Sequence, residues 1–223
     1  MADGVTATQE FYTRYAALYD RIARRTPGVG GLRESVADAL DPAPGDTVVE
    51  MGCGTGANFP YLRERVGPAG TVVGVDFTPG VLEVARDRAD AWENVHVVRG
   101  DATRPPVADA DAVLATFVSG MLADPAAAVR TWGELAGAGG RLALADLGRT
   151  TQTPFRPLNA LFRGIVRASS PPGTRSQLAQ SPTATLDARL VAAHRELDAV
   201  CEDVRHETRA LGFARVSGGR VRE

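Results

Sequence analysis

The chain has 223 residues and a net charge of -2, long enough for an α/β domain with a full core and too near neutral for a polyanion such as nucleic acid to be the main partner. All 25 basic residues are arginine, which excludes a Schiff-base lysine, a P-loop and the Tyr-x-x-x-Lys pair of short-chain dehydrogenases. Cys53 and Cys201 are too few and too far apart for a disulfide framework or a Cys-rich zinc site, no secretory h-region opens the chain and no apolar run approaches membrane-spanning length, so a cytoplasmic protein without a metal is expected.

Phe11, Tyr15, Leu18 and Ile22 recur at helical spacing and predict a helix over 8–26. A break at TPGVGG (26–31) precedes a second helix from about Leu32 to Leu40. Short β-branched runs then alternate with helical patterns. TVVEM (47–51), TVVGV (71–75), VHVV (95–98), DAVLAT (111–116) and GGRLALAD (139–146) read as strands. Helices are expected near 57–66, from Pro79 through PGVLEVARDRADA, and in DPAAAVRTWGELA. This alternation means βαβ units and a doubly wound, mostly parallel sheet, with N-terminal helices before it and a helical insertion after the fifth strand.

Ligands of such sheets sit at the carboxyl ends of the strands, so the residues just past each strand carry the information. Past the first strand runs a loop with Gly52, Gly54 and Gly56, whose backbone can approach a ligand closely. Its spacing admits two readings. Gly52, Gly54 and Ala57 satisfy the dinucleotide fingerprint, whereas Glu50 with the three glycines satisfies the pattern that holds S-adenosylmethionine (SAM). Asp76 ends the second strand, where a carboxylate can accept from a ribose diol; the other reading is an N-cap, and Thr78 before Pro79 is the better cap. Asp101, in GDAT, either reads the amino edge of an adenine or is a solvated loop acid. Taken alone, the loop acid is favoured; taken with Glu50, Asp76 and the glycines, the ligand site is.

The stretches VVEMGCGTG, VVGVDFTPGVLEVAR, VVRGDAT, DAVLATFVSGML and GAGGRLALAD resemble, in order, the motifs of class I SAM-dependent methyltransferases, over roughly residues 8–147. The flavour is similar to the small-molecule branch with ubiquinone/menaquinone and phospholipid methyltransferases. The resemblance implies SAM as cofactor, approached by Gly52, Cys53, Gly54 and Gly56. It implies Asp76 on the ribose, Phe77 on the adenine, Asp101 with Ala102 at the adenine edge, and Thr116 and Phe117 near the sulfonium. It places Glu50 in support of the loop and the amino-acid end. It also makes YAALYDRIA a capping helix in which Tyr15 and Tyr19 close over the cofactor, with core packing an equal alternative for Tyr15.

Methyl transfer from a sulfonium needs a base only when the acceptor must lose a proton, and no catalytic residue stands out. Asp146 is a candidate whose better reading is a cap or turn, and His194 and His206 fall on a predicted C-terminal helix where surface or packing roles are commoner. Residues 154–169 predict an amphipathic helix with Arg156, Arg163 and Arg167 on one stripe. A lid over an apolar acceptor and an ordinary packed helix are both open, and contact with a membrane surface is not favoured. SSPPGTRSQLAQSP reads as mobile. Residues 186, 190, 193, 197, 200, 204 and 211 form one apolar stripe that predicts a long helix or a broken pair ending at Gly212. FARVSGGRVRE then leaves room for one strand or a very small hairpin. The expectation is a single domain, divided into a helical cap (1–45), a SAM-binding core (46–147), a lid (148–182) and a C-terminal helix and strand (183–223). It methylates a small, apolar or amphipathic acceptor, and its rivals are an NAD(P)-dependent oxidoreductase and a non-catalytic SAM-binding protein.

Overall fold

A computed structural model describes residues 29–169 and 182–223. The helix expected at 8–26, with Tyr15 and Tyr19, and the stretch at 170–181 lie outside the described residues. The five expected strands are all present: β1 Thr47–Met51, β2 Thr71–Asp76, β3 Val95–Arg99, β4 Ala112–Thr116 and β5 Arg141–Leu147. The helices before and between them are α1 Val29–Leu40, α2 Phe59–Val66, α3 Pro79–Ala89 and α4 Pro125–Ala136. Proline at the first turn opens α2, α3 and α4, where its missing N–H costs nothing. Asp124 caps α4 by accepting from the Ala127 N–H at 2.9 Å.

The insertion after β5 forms a 3-10 turn, Thr153–Leu158, and then α5, Asn159–Ser169. Phe162 packs on Phe213 with ring centroids 5.3 Å apart, while Arg156 and Arg163 are exposed. The C-terminal part departs from the expected long helix. Helix α6, Pro182–Val200, ends abruptly at Val200, and the chain continues as β6 Cys201–Arg209 and β7 Ala214–Val221. Val204 therefore sits on a strand and Leu211 in the turn between strands, and His206 is a strand residue rather than a helical one.

The sheet order is β3-β2-β1-β4-β5-β7-β6. The first five strands are parallel, and β7 runs antiparallel to both β5 and β6. The C-terminal stretch expected to hold one strand or a very small hairpin thus forms β7, which pairs with β5 and with β6 in the chain's own hairpin. Its turn needs Ala210 (φ 51) and Leu211 (φ 57) in the left-handed region, and no Asn-Gly or Asp-Gly pair announces it. Helices α1, α2 and α3 bury one sheet face through residues such as Val36, Leu62 and Leu82. Helices α4 and α6 bury the other through Val129, Trp132, Ala193 and Leu197. The strand order reverses between β1 and β4, which opens a crevice at their carboxyl ends. No helix among the described residues is long and apolar enough to cross a membrane.

Candidate functional site

Strand periodicity puts Glu50 on the same sheet face as Val48, under α1 and α2, with its carboxylate 1% exposed. Its Oε1 accepts from Asn58 Nδ2 at 2.5 Å and from the Thr116 hydroxyl at 3.2 Å. Asn58 Nδ2 also donates to Thr116 Oγ1 at 2.9 Å, and Arg33 Nη1 on α1 donates to Asn58 Oδ1 at 2.5 Å. One buried network therefore joins α1, β1, the start of α2 and the end of β4. Oε2 of Glu50 is buried with no hydrogen-bond partner among the described residues. Burial pushes the Glu50 carboxyl up to about 7; the Asn58 hydrogen bond, the Arg33 charge and Thr116 pull it part of the way back.

Past β1 the loop turns through Gly52 (φ 64), Gly54 (φ 54) and Gly56 (φ 69), all left-handed. The last two glycines differ in what surrounds them. A side chain at Gly56 would meet the Phe59 ring at 2.3 Å, whereas at Gly54 nothing among the described residues lies within 4 Å. Gly56 is needed for packing, and Gly54 leaves open backbone beside the switch point. Asp76 faces that backbone. Its Oδ2 accepts from the Gly54 N–H at 3.0 Å and its Oδ1 from the Thr78 N–H at 2.8 Å. Thr78 occupies the cap position of α3 but makes no side-chain cap bond, so the expected division of labour between the two residues is not what forms: Asp76 holds the helix entry and the glycine loop together. An ionised carboxylate has about four acceptor sites, and these two N–H groups take one on each oxygen. Burial raises the Asp76 carboxyl, opposed by the Thr78 and Gly54 N–H groups.

Asp101 is exposed on the loop after β3, and its Oδ1 accepts from both the N–H and the hydroxyl of Thr103, each at 2.8 Å. The Ala102 carbonyl accepts from Trp132 Nε1 at 2.7 Å, so buried α4 sets the orientation of this loop. Phe77, 36% exposed, follows β2 at the crevice rim. Phe117 takes φ 61, costly for an aromatic residue, while its N–H donates to the Ala145 carbonyl at 2.7 Å. Cys53 departs from the rest: its N–H donates to the Val75 carbonyl at 3.0 Å and its thiol is buried against the core. The thiol also donates to the Gly54 carbonyl at 3.8 Å. Burial pushes the Cys53 thiol well up and Cys201 to about 11. Native protein treated with iodoacetamide at pH 8 should therefore stay unmodified at both positions, and both should react on unfolding; mass spectrometry showing prompt alkylation of Cys53 in the native state would contradict this burial.

The structure thus brings Glu50, the glycine loop, Asp76 and Thr116 together at one crevice, with Phe77, Asp101, Ala102 and Phe117 on its rim. Tyr19 lies outside the described residues. Arg33 and Asn58 were missed from sequence. Asn58 stands just before Phe59-Pro60, where an asparagine reads as an N-cap; its side chain instead turns to Glu50 and Thr116, with no cap bond.

A SAM molecule carries an ammonium, a sulfonium, a ribose diol and an adenine. The residues fit such a ligand: among the described residues a buried carboxylate oxygen lacks a partner and no side chain covers the backbone at Gly54, and acids close β2 and follow β3. Residues 49–144 match the family described as "Methyltransferase domain". The chain is 31% identical over 155 residues to the aklanonic acid methyltransferase DauC of a Streptomyces species, covering 67% of this chain and 69% of that protein. The chain belongs to the class I SAM-dependent methyltransferases. The cofactor of this family member is accordingly SAM. It is also 34% identical over 146 residues to the 2-phytyl-1,4-naphtoquinone methyltransferase of Thermosynechococcus vestitus, covering 64% of this chain and 65% of that one. It spans 36% of an uncharacterized transposon protein of Streptomyces fradiae that it also matches. The fold is shared with the N-methyltransferase NodS of Bradyrhizobium japonicum in complex with S-adenosylhomocysteine, at a TM-score of 0.63, 13% identity and coverage of 90% and 91%.

Proposed function

We propose that this chain transfers the methyl group of SAM to a small, apolar or amphipathic acceptor. The observation that carries the reading is the buried Glu50 carboxylate at the switch point, one oxygen held by Asn58 and Thr116 and the other without a partner among the described residues, beside open glycine backbone. Two relatives named for methylation of a naphthoquinone and of aklanonic acid support a small organic acceptor.

SAM supplies a methyl already activated on a sulfonium, so the protein has chiefly to bind, orient and exclude water. In this reading Glu50 Oε2 receives the ammonium of the amino-acid end. Gly52 and Gly54 let the ligand lie on the main chain, and Asp76 accepts from the ribose hydroxyls. Asp101 and the Ala102 N–H hold the adenine edge, with Phe77 against its face. Thr116, fixed by Asn58, lines the reacting end with Phe117. Tyr19 is proposed to close over the same ligand, and α5 with its exposed Leu161 to form part of a lid on the acceptor side.

Calorimetric titration with SAM, S-adenosylhomocysteine and NAD in parallel tests the reading. SAM or its product should bind, and Asp76→Ala should weaken binding by about 1–3 kcal/mol through loss of a hydrogen-bonded carboxylate. Binding of NAD without SAM would replace the methyltransferase with an oxidoreductase.

A further inference from the structure

The loop after β3 is held by a residue that belongs to neither the loop nor the crevice. Trp132 on α4 has no exposure, and a buried indole N–H needs an acceptor. Its Nε1 finds one 30 residues earlier in the chain, the Ala102 carbonyl at 2.7 Å. The peptide that carries this carbonyl is held at its other end too. The N–H of the same peptide unit is that of Thr103, and it donates to Asp101 Oδ1 at 2.8 Å. One peptide group therefore stands between the buried indole and the Asp101 carboxylate, with a hydrogen bond on either side. In such a series each bond polarises the next. The peptide plane is rigid as well, so fixing its carbonyl fixes the direction of its N–H.

Further contacts fix the rest of the loop. The Gly100 N–H donates to the Asp76 carbonyl at 2.9 Å, and Pro106 packs on Gly100 so closely that a Cβ there would lie 2.4 Å from its ring. The Thr103 hydroxyl adds a second bond to Asp101 Oδ1 at 2.8 Å. Both Thr103 bonds fall on Oδ1, so Oδ2 is the oxygen left for a ligand. The Ala102 N–H, next in the chain, makes no backbone hydrogen bond among the described residues.

A fixed acceptor beside a fixed donor has a definite complement. Adenine offers an amino donor and a ring-nitrogen acceptor side by side. Its 6-oxo counterpart, hypoxanthine, offers a carbonyl acceptor and a ring N–H donor, the reverse pattern. An ionised carboxylate only accepts, so against hypoxanthine it would meet an oxygen and both pairs would be unmade. That penalty depends on the loop staying in place, because a loop free to move can turn the carboxylate aside and admit either base. We propose that Trp132 is the positioning residue that sets the base selectivity of this chain, its indole N–H holding the Ala102–Thr103 peptide so that Asp101 and the Ala102 N–H take a 6-amino purine and reject a 6-oxo one. On the methyltransferase reading, on which this selectivity rests, the adenine lies at this loop. Trp132 acts on it through one peptide and touches no ligand.

The probes are S-adenosylhomocysteine and S-inosylhomocysteine, which differ only at that edge of the base. Calorimetric titration of the full chain should show the adenosine compound preferred by about 10–100-fold, the scale of polar groups left unpaired. Trp132→Phe keeps an aromatic ring and loses the N–H. In it the preference should fall to about 3-fold or less, chiefly through weaker binding of the adenosine compound. Loss of packing alone would weaken both compounds in the same ratio, so an unchanged preference in folded Trp132→Phe would overturn the proposal, as would a wild type that binds both alike. A second measurement needs no variant at this position. The chain has 2 tryptophans, and Trp92→Phe assigns their indole 15N–1H signals. Saturating S-adenosylhomocysteine should shift the Trp132 signal and leave that of Trp92 in place; a Trp132 signal that stays put would overturn the proposal as well. If the wild type binds neither compound, the methyltransferase reading falls and the selectivity with it. If it binds and discriminates but Trp132→Phe does so equally, the positioning role alone falls.

Discussion

Glu50→Gln should flatten the pH dependence of stability in the cofactor-free protein and weaken SAM binding at the same time. The unfolded-chain value for this carboxyl is 4.5 and burial lifts it to about 7 in the fold. A group raised on folding gives stability that is fully present below the lower value and is lost as pH rises through the higher one. Two and a half pH units correspond to about 3 kcal/mol at full development. Most of this is lost between pH 4.5 and 7, and roughly 1 kcal/mol falls between pH 6 and 8. Other carboxylates titrate in the acid range as well, so the readout is the difference between wild-type and Glu50→Gln denaturation free energies at several pH values. That difference should shift in favour of the variant as pH rises.

The same buried charge makes SAM binding proton-linked. A cation beside Oε2 favours ionised Glu50, so near pH 6.5 binding should release a fraction of a proton. Calorimetry in buffers of different ionisation enthalpy measures that release, and the variant should show much less. The variant should also bind SAM more weakly by about 1.5–3 kcal/mol, the range for a hydrogen bond to a charged group. Parallel stability curves for the two proteins between pH 5 and 8 would show that Glu50 is not held neutral by burial.

Gly56→Ala and Gly54→Ala, two residues apart, should fail in opposite ways. At Gly56 an alanine would sit at φ 69 with its methyl 2.3 Å from the ring of Phe59, a side chain with no exposure. Left-handed backbone costs about 1–2 kcal/mol for a residue with a Cβ, and overpacking costs about 1–3 more. Phe59 has little room to retreat, because Gly74 of β2 stands against the same ring, so closely that a methyl there would also clash, at 2.5 Å. Gly56→Ala should therefore lower stability by about 3 kcal/mol, roughly 6–12 °C in Tm for a chain of this size. Gly54→Ala adds only the backbone cost, about 1–2 kcal/mol, because no atom of the described residues lies within 4 Å. The methyl would occupy the space proposed for the ligand, so its main effect should be on SAM affinity. Thermal melts and SAM titrations on both variants separate the two roles; a Gly54→Ala protein that binds SAM as wild type would place the ligand elsewhere.

The parallel half of this protein is legible in the amino-acid sequence. Strands β1, β2, β4 and β5 are short runs of Val, Ala or Leu bounded by Gly, Asp or Pro, and the helices α2, α3 and α4 between them carry a first-turn proline that marks each start. Local chemistry and tertiary context agree there, so β1 forms at the residues expected and Asp76, Gly54 and Thr116 converge because right-handed crossovers put every strand's carboxyl end on one side. Composition likewise decided which chemistries were out of reach, since a chain without lysine cannot form a Schiff base.

What depended on tertiary structure lies where local preference and final environment disagree. CEDVRHETR contains good helix formers and continues the apolar spacing of α6, so it reads as helix. It becomes β6 because β7 offers a free edge and the charges of an edge strand can face solvent. Pairing overrode propensity, completed the sheet and carried His206 opposite Ser217. Asn58 shows the same limit at the site: it occupies the N-cap position of α2, but its side chain makes no cap bond and donates instead to the buried Glu50 carboxylate. Asp146 and His194 are 48 residues apart in the chain, and only packing α6 over the end of β5 makes them neighbours. Strand and helix periods are local and could be read directly; hydrogen-bond partners are chosen among groups that only the folded chain assembles.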